Sequence, residues 1–374
     1  MAAATLPTPV VTEKPQTAIV VPPSDLPLPA VRSTGGILDP ILDVYRSVQA
    51  RRDALGLSNP GTVDQISREV SRDVLLTNQT FSGLRAELNK SFSIFPLFQI
   101  SHAFSTGSQQ LSPYTFLALY GTNNILCQAQ LDSDASFSAR FNARLTDRLV
   151  FKNSAQIQPA SAAGPGGAQF SPEIDYHGDD FMASIKSMNP SLLEGGLTGM
   201  FIGSYMQSIT KRLALGMEAV WQKPAGAPAA EAAVSYAGRY KGDDWIASAQ
   251  LLTQGGLQAS YWRRLTERVE TGVDVSLQIA GFDPRTGGVQ KEGAATFGAK
   301  YEFSRSVFRA QVDSAGKVGC LLDKIVAPAV RVTFAGEIDH AKSNAKLGLA
   351  VSIEASGEDL MEQQETVKAP VPPF

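Results

Sequence analysis

Two cysteines, Cys127 and Cys320, are too few for a disulfide framework in a chain of 374 residues, which fits a thiol-reducing or mixed compartment. Three scattered histidines (His102, His177 and His340) supply no zinc-ligand cluster, so no metal site is expected. Charge is sparse: 33 basic and 36 acidic side chains leave a net of -3, and nothing points to nucleic acid. No run of 18 apolar residues exists, which excludes a membrane-spanning helix. The opening MAAATLPTPVVTEKPQ lacks a basic n-region and an apolar core, so no secretory signal is expected. No histidine sits in a nucleophile-like context, and no glycine-rich loop leads from a strand into a helix. The GPGG at 164–167 lies in a connector. No catalytic residue, no cofactor and no enzyme activity are therefore expected. One membrane class survives these exclusions: a transmembrane β-barrel, whose alternating strands average to the near-neutral mean hydropathy of -0.06.

What is present divides into four parts. Residues 1–35 carry seven prolines and no hydrophobic period, and read as a disordered tail. Residues 356–374, acidic and then proline-rich, read the same way. Residues 36–80 carry two helical signals. The first, at 36–56, places Ile37, Ile41, Val44 and Val48 near helical spacing. After a break at Asn59-Pro60-Gly61, Thr62 and Gln65 form a capping-box pair that opens a helix over 62–76. Val63, Ile66, Val70 and Val74 lie on one face of it.

From 81 to 355 the period is two. In FSARFNARL (137–145) Phe137, Ala139, Phe141, Ala143 and Leu145 share a face, and Ser138, Arg140, Asn142 and Arg144 share the other. Nineteen such segments follow one another, each near the 9–11 residues that cross a bilayer as a tilted strand. Repeated turns provide a check on the count. LTDRL (145–149), ITKRL (209–213), LTERV (265–269) and FSRSV (303–307) form one family, and YHGDDF (176–181) and YKGDDW (240–245) another. All six join an odd strand to the next even one and so fall on one rim. The longer connections near 158–167, 223–230 and 279–290 fall on the opposite rim. The fold expected is an all-β transmembrane barrel of 19 strands, antiparallel except where the first and last close in parallel. A soluble protein of separate sandwiches is the alternative. Trp221, Tyr240, Trp245, Tyr261, Trp262 and Tyr301 lie near strand ends, as at a membrane interface. Cys127 and Cys320 alternate in phase with apolar neighbours and read as small wall residues.

SNPGTVDQISREVSRDVLL (58–76), running straight into FSGLRAELNKSF (81–92), resembles the channel-forming subunits of the translocase of the outer mitochondrial membrane. The helix followed by nineteen strands is similar to the wider mitochondrial porin superfamily. In KLGLAVSI (346–353), Lys346, Gly348, Val351 and Ile353 match the sorting signal by which mitochondria recognise barrel precursors. The resemblance covers residues 36–355. It implies an outer-membrane location with both tails toward the intermembrane space. It also implies a set of partners: precursor proteins with presequences, precursor receptors, a central receptor with one membrane span, small single-helix subunits, and a second copy of the barrel.

With the polar phase turned inward, fourteen acids (Glu87, Asp132, Glu173, Asp175, Glu218, Glu231, Glu270, Asp274, Glu292, Glu302, Asp313, Glu337, Asp339 and Glu354) face the lumen. Ten bases share that phase: Arg85, Arg140, Arg144, Lys152, Lys186, Arg239, Lys300, Arg309, Arg331 and Lys346. A barrel of this size encloses water. A mildly acidic lumen would attract the basic, amphipathic helices of presequences, each contact being weak and screened beyond about 8 Å. Glu87, Asp132, Glu173, Asp175, Glu218, Asp274, Glu302, Glu337 and Asp339 are the candidates for that path. A helix at 62–76 would be about 22 Å long at about 1.5 Å per residue. Inside the lumen it would narrow the pore and return the N-terminal tail to the rim where the C-terminus exits. The alternative function is a metabolite porin of the anion-channel type.

Overall fold

Alternation at period two becomes hydrogen-bonded pairing along residues 83–355. The computed structural model describes residues 52, 55–77 and 79–355, apart from 109–110, 161–165, 192–196, 225–228, 254 and 284–287. Both expected tails and nearly all of the 36–56 helix lie outside the described residues. The chain divides after Arg52, and the unit from Asp53 onward holds the barrel.

The strands are β1 (Gly83–Ile94), β2 (Leu97–Thr106), β3 (Tyr114–Gly121), β4 (Ile125–Asp132), β5 (Phe137–Arg144) and β6 (Leu149–Gln158). They continue as β7 (Gly167–His177), β8 (Phe181–Ser191), β9 (Thr198–Ser208), β10 (Leu213–Lys223), β11 (Glu231–Lys241), β12 (Trp245–Leu251) and β13 (Leu257–Thr266). The last are β14 (Val269–Asp283), β15 (Gly288–Glu302), β16 (Ser306–Asp313), β17 (Lys317–Ala327), β18 (Val330–Asp339) and β19 (Asn344–Ala355). Each is antiparallel to the next, and β1 pairs with β19 in parallel, Gly83 against Gly348 through Lys90 against Ala355. The sheet has no free edge, so every strand finds partners on both sides without help from water.

The nine odd-to-even connections take two to four residues each, and the even-to-odd ones take three to eight. The expected loop at 279–290 is instead mostly strand: β14 and β15 stay paired out to Asp283 and Gly288, an extension of the hairpin that the weak alternation there concealed. On the short-turn rim the repeated motifs do related work. Thr146 and Thr210 accept the backbone N–H of Leu149 and Leu213 at 3.0 and 2.9 Å, closing each turn. The carbonyls of Arg148, Arg212, Arg268 and Arg305 accept from His177, Lys241, Glu302 and Ile325, which ties each turn to the strand beyond. Arg148 and Arg212 also reach the aspartates of the second turn family, Asp179 and Asp243, with two N–H···O bonds apiece. The two turn families are therefore partners on one rim.

One face of the closed sheet carries the large apolar side chains, among them Leu84, Ile185, Tyr236, Phe334 and Leu347, all well exposed. An apolar surface of that extent fits lipid and not water. Among the described residues no helix is long and apolar enough to cross a membrane. Trp221, Tyr240, Trp245, Tyr261 and Tyr301 share this outer face. Trp262 does not: it pairs with Ile246 and Gly272 on the inner face, one residue out of phase with Tyr261.

Candidate functional site

The inner face can be followed around the barrel by register. Arg85 lies opposite Ser105, Thr115 opposite Asp132, Lys152 opposite Glu173, Glu218 opposite Ser235, Asp274 opposite Thr296, and Glu337 opposite Lys346. At the closure Arg85 meets Ala350 and Glu87 meets Ser352, so the phase returns to itself. All nine candidate acids have this inward phase, but their surroundings divide them. Glu87 pairs with Arg85 at 2.7 Å, Glu302 with Lys300 at 2.5 Å and Glu337 with Lys346 at 3.7 Å. Glu173 and Asp175 share Lys152, at 3.2 and 2.5 Å. Asp339 is buried and accepts the backbone N–H of Lys342, capping the loop that follows it. Asp132 is held by Thr115, Ser136 and Gln130 at 2.7, 3.0 and 3.1 Å, all neutral donors. Among the described residues no salt bridge joins Asp132, Glu218 or Asp274 to a base, and Lys186 acts on Glu218 only from beyond contact. Arg264, Lys317 and Asp323 also face inward and are absent from the sequence-based set. Arg264 was hidden because β13 runs on to Thr266, past the end its pattern suggested. No group of three metal-ligating side chains gathers among the described residues.

Residues 58–80 cross the inside of this wall. Asn59 turns the chain with both ends of its amide: Oδ1 accepts the N–H of Gly61 at 2.9 Å, and Nδ2 donates to the Gly178 carbonyl at 3.0 Å. Gly61 has φ +85°, a left-handed conformation that explains a glycine after Pro60. The Ser58 carbonyl accepts from Ser208, on the short-turn rim. At the far end Leu76 N–H donates to Gln311 at 2.7 Å and Thr80 to Glu337 at 2.9 Å, near the opposite rim. Residue 58 thus lies at the rim where β19 ends.

The segment is not the regular helix that its spacing predicts. Thr62 makes no side-chain cap; a 3₁₀ turn at Val63–Gln65 is followed by a π-helical turn at Glu69–Val74, closed by Leu75 N–H to the Val70 carbonyl at 2.9 Å. The cause lies in the wall. Val63, Ile66, Val70, Val74, Leu75 and Leu76 are all almost completely buried, and a single straight α-helical stripe does not present 70, 74, 75 and 76 together to a curved surface. β-branched residues also hold an α-helix weakly. Val63 and Ile66 pack with Met206, Ala214 and Ala237, whereas Val70, Val74 and Leu75 sit against Gly272 and Gly298. A Cβ at Gly298 would come within 2.6 Å of Leu75 Cδ2, so the wall is glycine where the segment presses closest. Arg239 binds the Pro60 carbonyl and Glu69, and Arg309 binds Gln79, adding charged ties that spacing alone did not reveal. In β19, Lys346 and Gly348 have the inward phase and Val351 and Ile353 the outward one.

Among the described residues the inner wall thus carries both carboxylates and bases, part of them paired with one another. A family model described as eukaryotic porin matches residues 59–348. The mitochondrial import receptor subunit tom40 of Neurospora crassa is 50% identical over 94% of this chain and 99% of its own. The chain belongs to the Tom40 family of eukaryotic porins. Its similarity to the Saccharomyces cerevisiae mitochondrial import receptor subunit TOM40 is 42% identity over 91% of this chain and 92% of that one. A Drosophila melanogaster Tom40 homologue is 28% identical over 87% and 92%. Among solved structures, a mutant Rh. blastica porin superposes with a TM-score of 0.40 at 11% identity, over 72% of this chain and 96% of that one. Tom40 membership and a barrel with a wet, charged interior make this a channel protein.

Proposed function

We propose that the chain is the protein-conducting channel through which precursor proteins cross the mitochondrial outer membrane. The observation that carries this reading is a closed barrel of 19 strands, in a Tom40-family chain, with acids on its inner wall that join no salt bridge among the described residues. An unfolded precursor threads the lumen. Its basic presequence is held weakly by Asp132, Glu218 and Asp274, and the already paired Glu87, Glu302 and Glu337 contribute only where a presequence displaces their partners. Weak binding suits transit, because a site that holds too tightly stops the chain it should pass. The segment bearing Val63, Ile66, Val70 and Val74 lines and narrows the pore. Lys346, Gly348, Val351 and Ile353 act as the assembly signal.

On this reading the partners are precursor receptors, a central receptor with one span, small single-helix subunits and a second barrel, a set that Tom40-family membership supports. Both tails face the intermembrane space on this reading, which is supported by residue 58 and the end of β19 sharing a rim. The chain reconstituted in planar bilayers should prefer cations and be blocked by a presequence peptide. An anion preference with no peptide block would favour a metabolite porin and overturn the proposal.

A further inference from the structure

One sector of the inner wall has the opposite sign. Strands β4 to β8 enclose a recess of about 390 Å³ that opens into the lumen, and its lining includes Arg140, Lys152 and Lys186 but one acid, Glu173. Glu173 stands opposite Lys186 in the register, yet its carboxylate turns to Lys152, which Asp175 also holds from behind. Lys152 is shared by two carboxylates, while Arg140 and Lys186 have no ion-pair partner among the described residues, so the three bases outnumber Glu173 and Asp175 by one. The Asn142 amide, 1% exposed, lines the same recess with its Oδ1 unpartnered. Rotation of that amide would offer an N–H donor in the same place. Serine hydroxyls at Ser138, Ser154 and Ser171 add neutral donors. Two cations outside any salt bridge, an amide that can turn its N–H into the recess and several hydroxyls are the complement of a carboxylate and not of a basic helix.

We propose that this recess binds acidic segments of a polypeptide in transit, a second subsite of opposite sign to the acids elsewhere on the wall. The inference rests on the channel reading above. It assigns Glu173 and Asp175 a new role: they fix Lys152 and shape the recess. They are not steps on the presequence path. The occupant is a peptide because the recess lies on the wall of the lumen and spans five strands, where a threaded chain would pass.

The test uses the full chain in planar bilayers with two probes, a short Glu-rich peptide and a basic amphipathic peptide. In the parent both should block. Arg140→Gln with Lys186→Gln should weaken block by the Glu-rich peptide about tenfold or more, equivalent to about 1.4 kcal/mol, and leave block by the basic peptide unchanged. Arg140→Lys with Lys186→Arg, which keeps both charges, should retain it and controls for assembly. Absence of block by the Glu-rich peptide in the parent, or unchanged block in the glutamine variant, overturns the proposal. So does full competition by inorganic phosphate at equal concentration, which would make the recess a small-anion site. Loss of block by the basic peptide alone would count against the channel reading and leave the recess intact.

Discussion

Replacing Val70 and Val74 by alanine should loosen the segment inside the barrel by a calculable amount. The two side chains are 2% and 0% exposed, so each substitution withdraws two buried methyl groups from the contact with Gly272 and Gly298. At about 0.8 kcal/mol per buried carbon the pair loses about 3 kcal/mol, before any term for the cavity left behind. Since about 1.4 kcal/mol is a factor of ten, the docking equilibrium should shift by roughly two decades. The reporter is Leu76→Cys, at a position 1% exposed, in a background with Cys127→Ser and Cys320→Ser. A water-soluble maleimide can reach that thiol only while the segment is off the wall. Its labelling rate should rise about a hundredfold in the double alanine variant, and open-channel current should become noisier. An unchanged rate, or fast labelling already in the parent, would refute the packing argument.

The ideal Cβ of Gly272 lies 3.4 Å from Val74 Cβ, close to disulfide spacing; Gly272→Cys with Val74→Cys should therefore oxidise to one intramolecular cross-link, seen as a gel shift that reductant reverses. Ile185→Lys, in the middle of β8 with the outward phase and 64% exposed, should destabilise the inserted barrel by about 2–4 kcal/mol in a bilayer unfolding assay, whereas Gln222→Lys on the inner face should be nearly neutral. The Arg212–Asp243 pair has side chains 55% and 83% exposed, so a double-mutant cycle should give a coupling below about 1 kcal/mol. Gly348→Leu should lower membrane assembly, read as the fraction of newly made chain resistant to carbonate extraction, because any Cβ there collides with Phe81 at the parallel seam.

Strand number, phase and rim were legible because each is a local property: alternation marks a strand, a short polar turn marks its end, and parity does the rest. Cys127 and Cys320 likewise have the outward phase their neighbours suggested. The segment at 62–76 was misread as a regular helix because its spacing reports which residues are buried. The backbone that buries them is decided by a wall more than a hundred residues away. Charge compensation was illegible for the same reason. Lys152, Glu173 and Asp175 sit on neighbouring strands, and only their register reveals that one lysine serves two carboxylates. Trp262 shows the limit of reading aromatics from strand ends: being near a rim says nothing of which side of the wall a ring is on.

Passage of a precursor through the lumen can be tested on a single strand. With a presequence fused to a tightly folded domain arrested in the channel, photo-cross-linkers placed one at a time along β10 should catch it at Gly216, Glu218 and Val220. They should miss it at Met217, Ala219 and Trp221, whose phase is outward. Cross-links spread evenly over both sets, or confined to the second, would contradict the account.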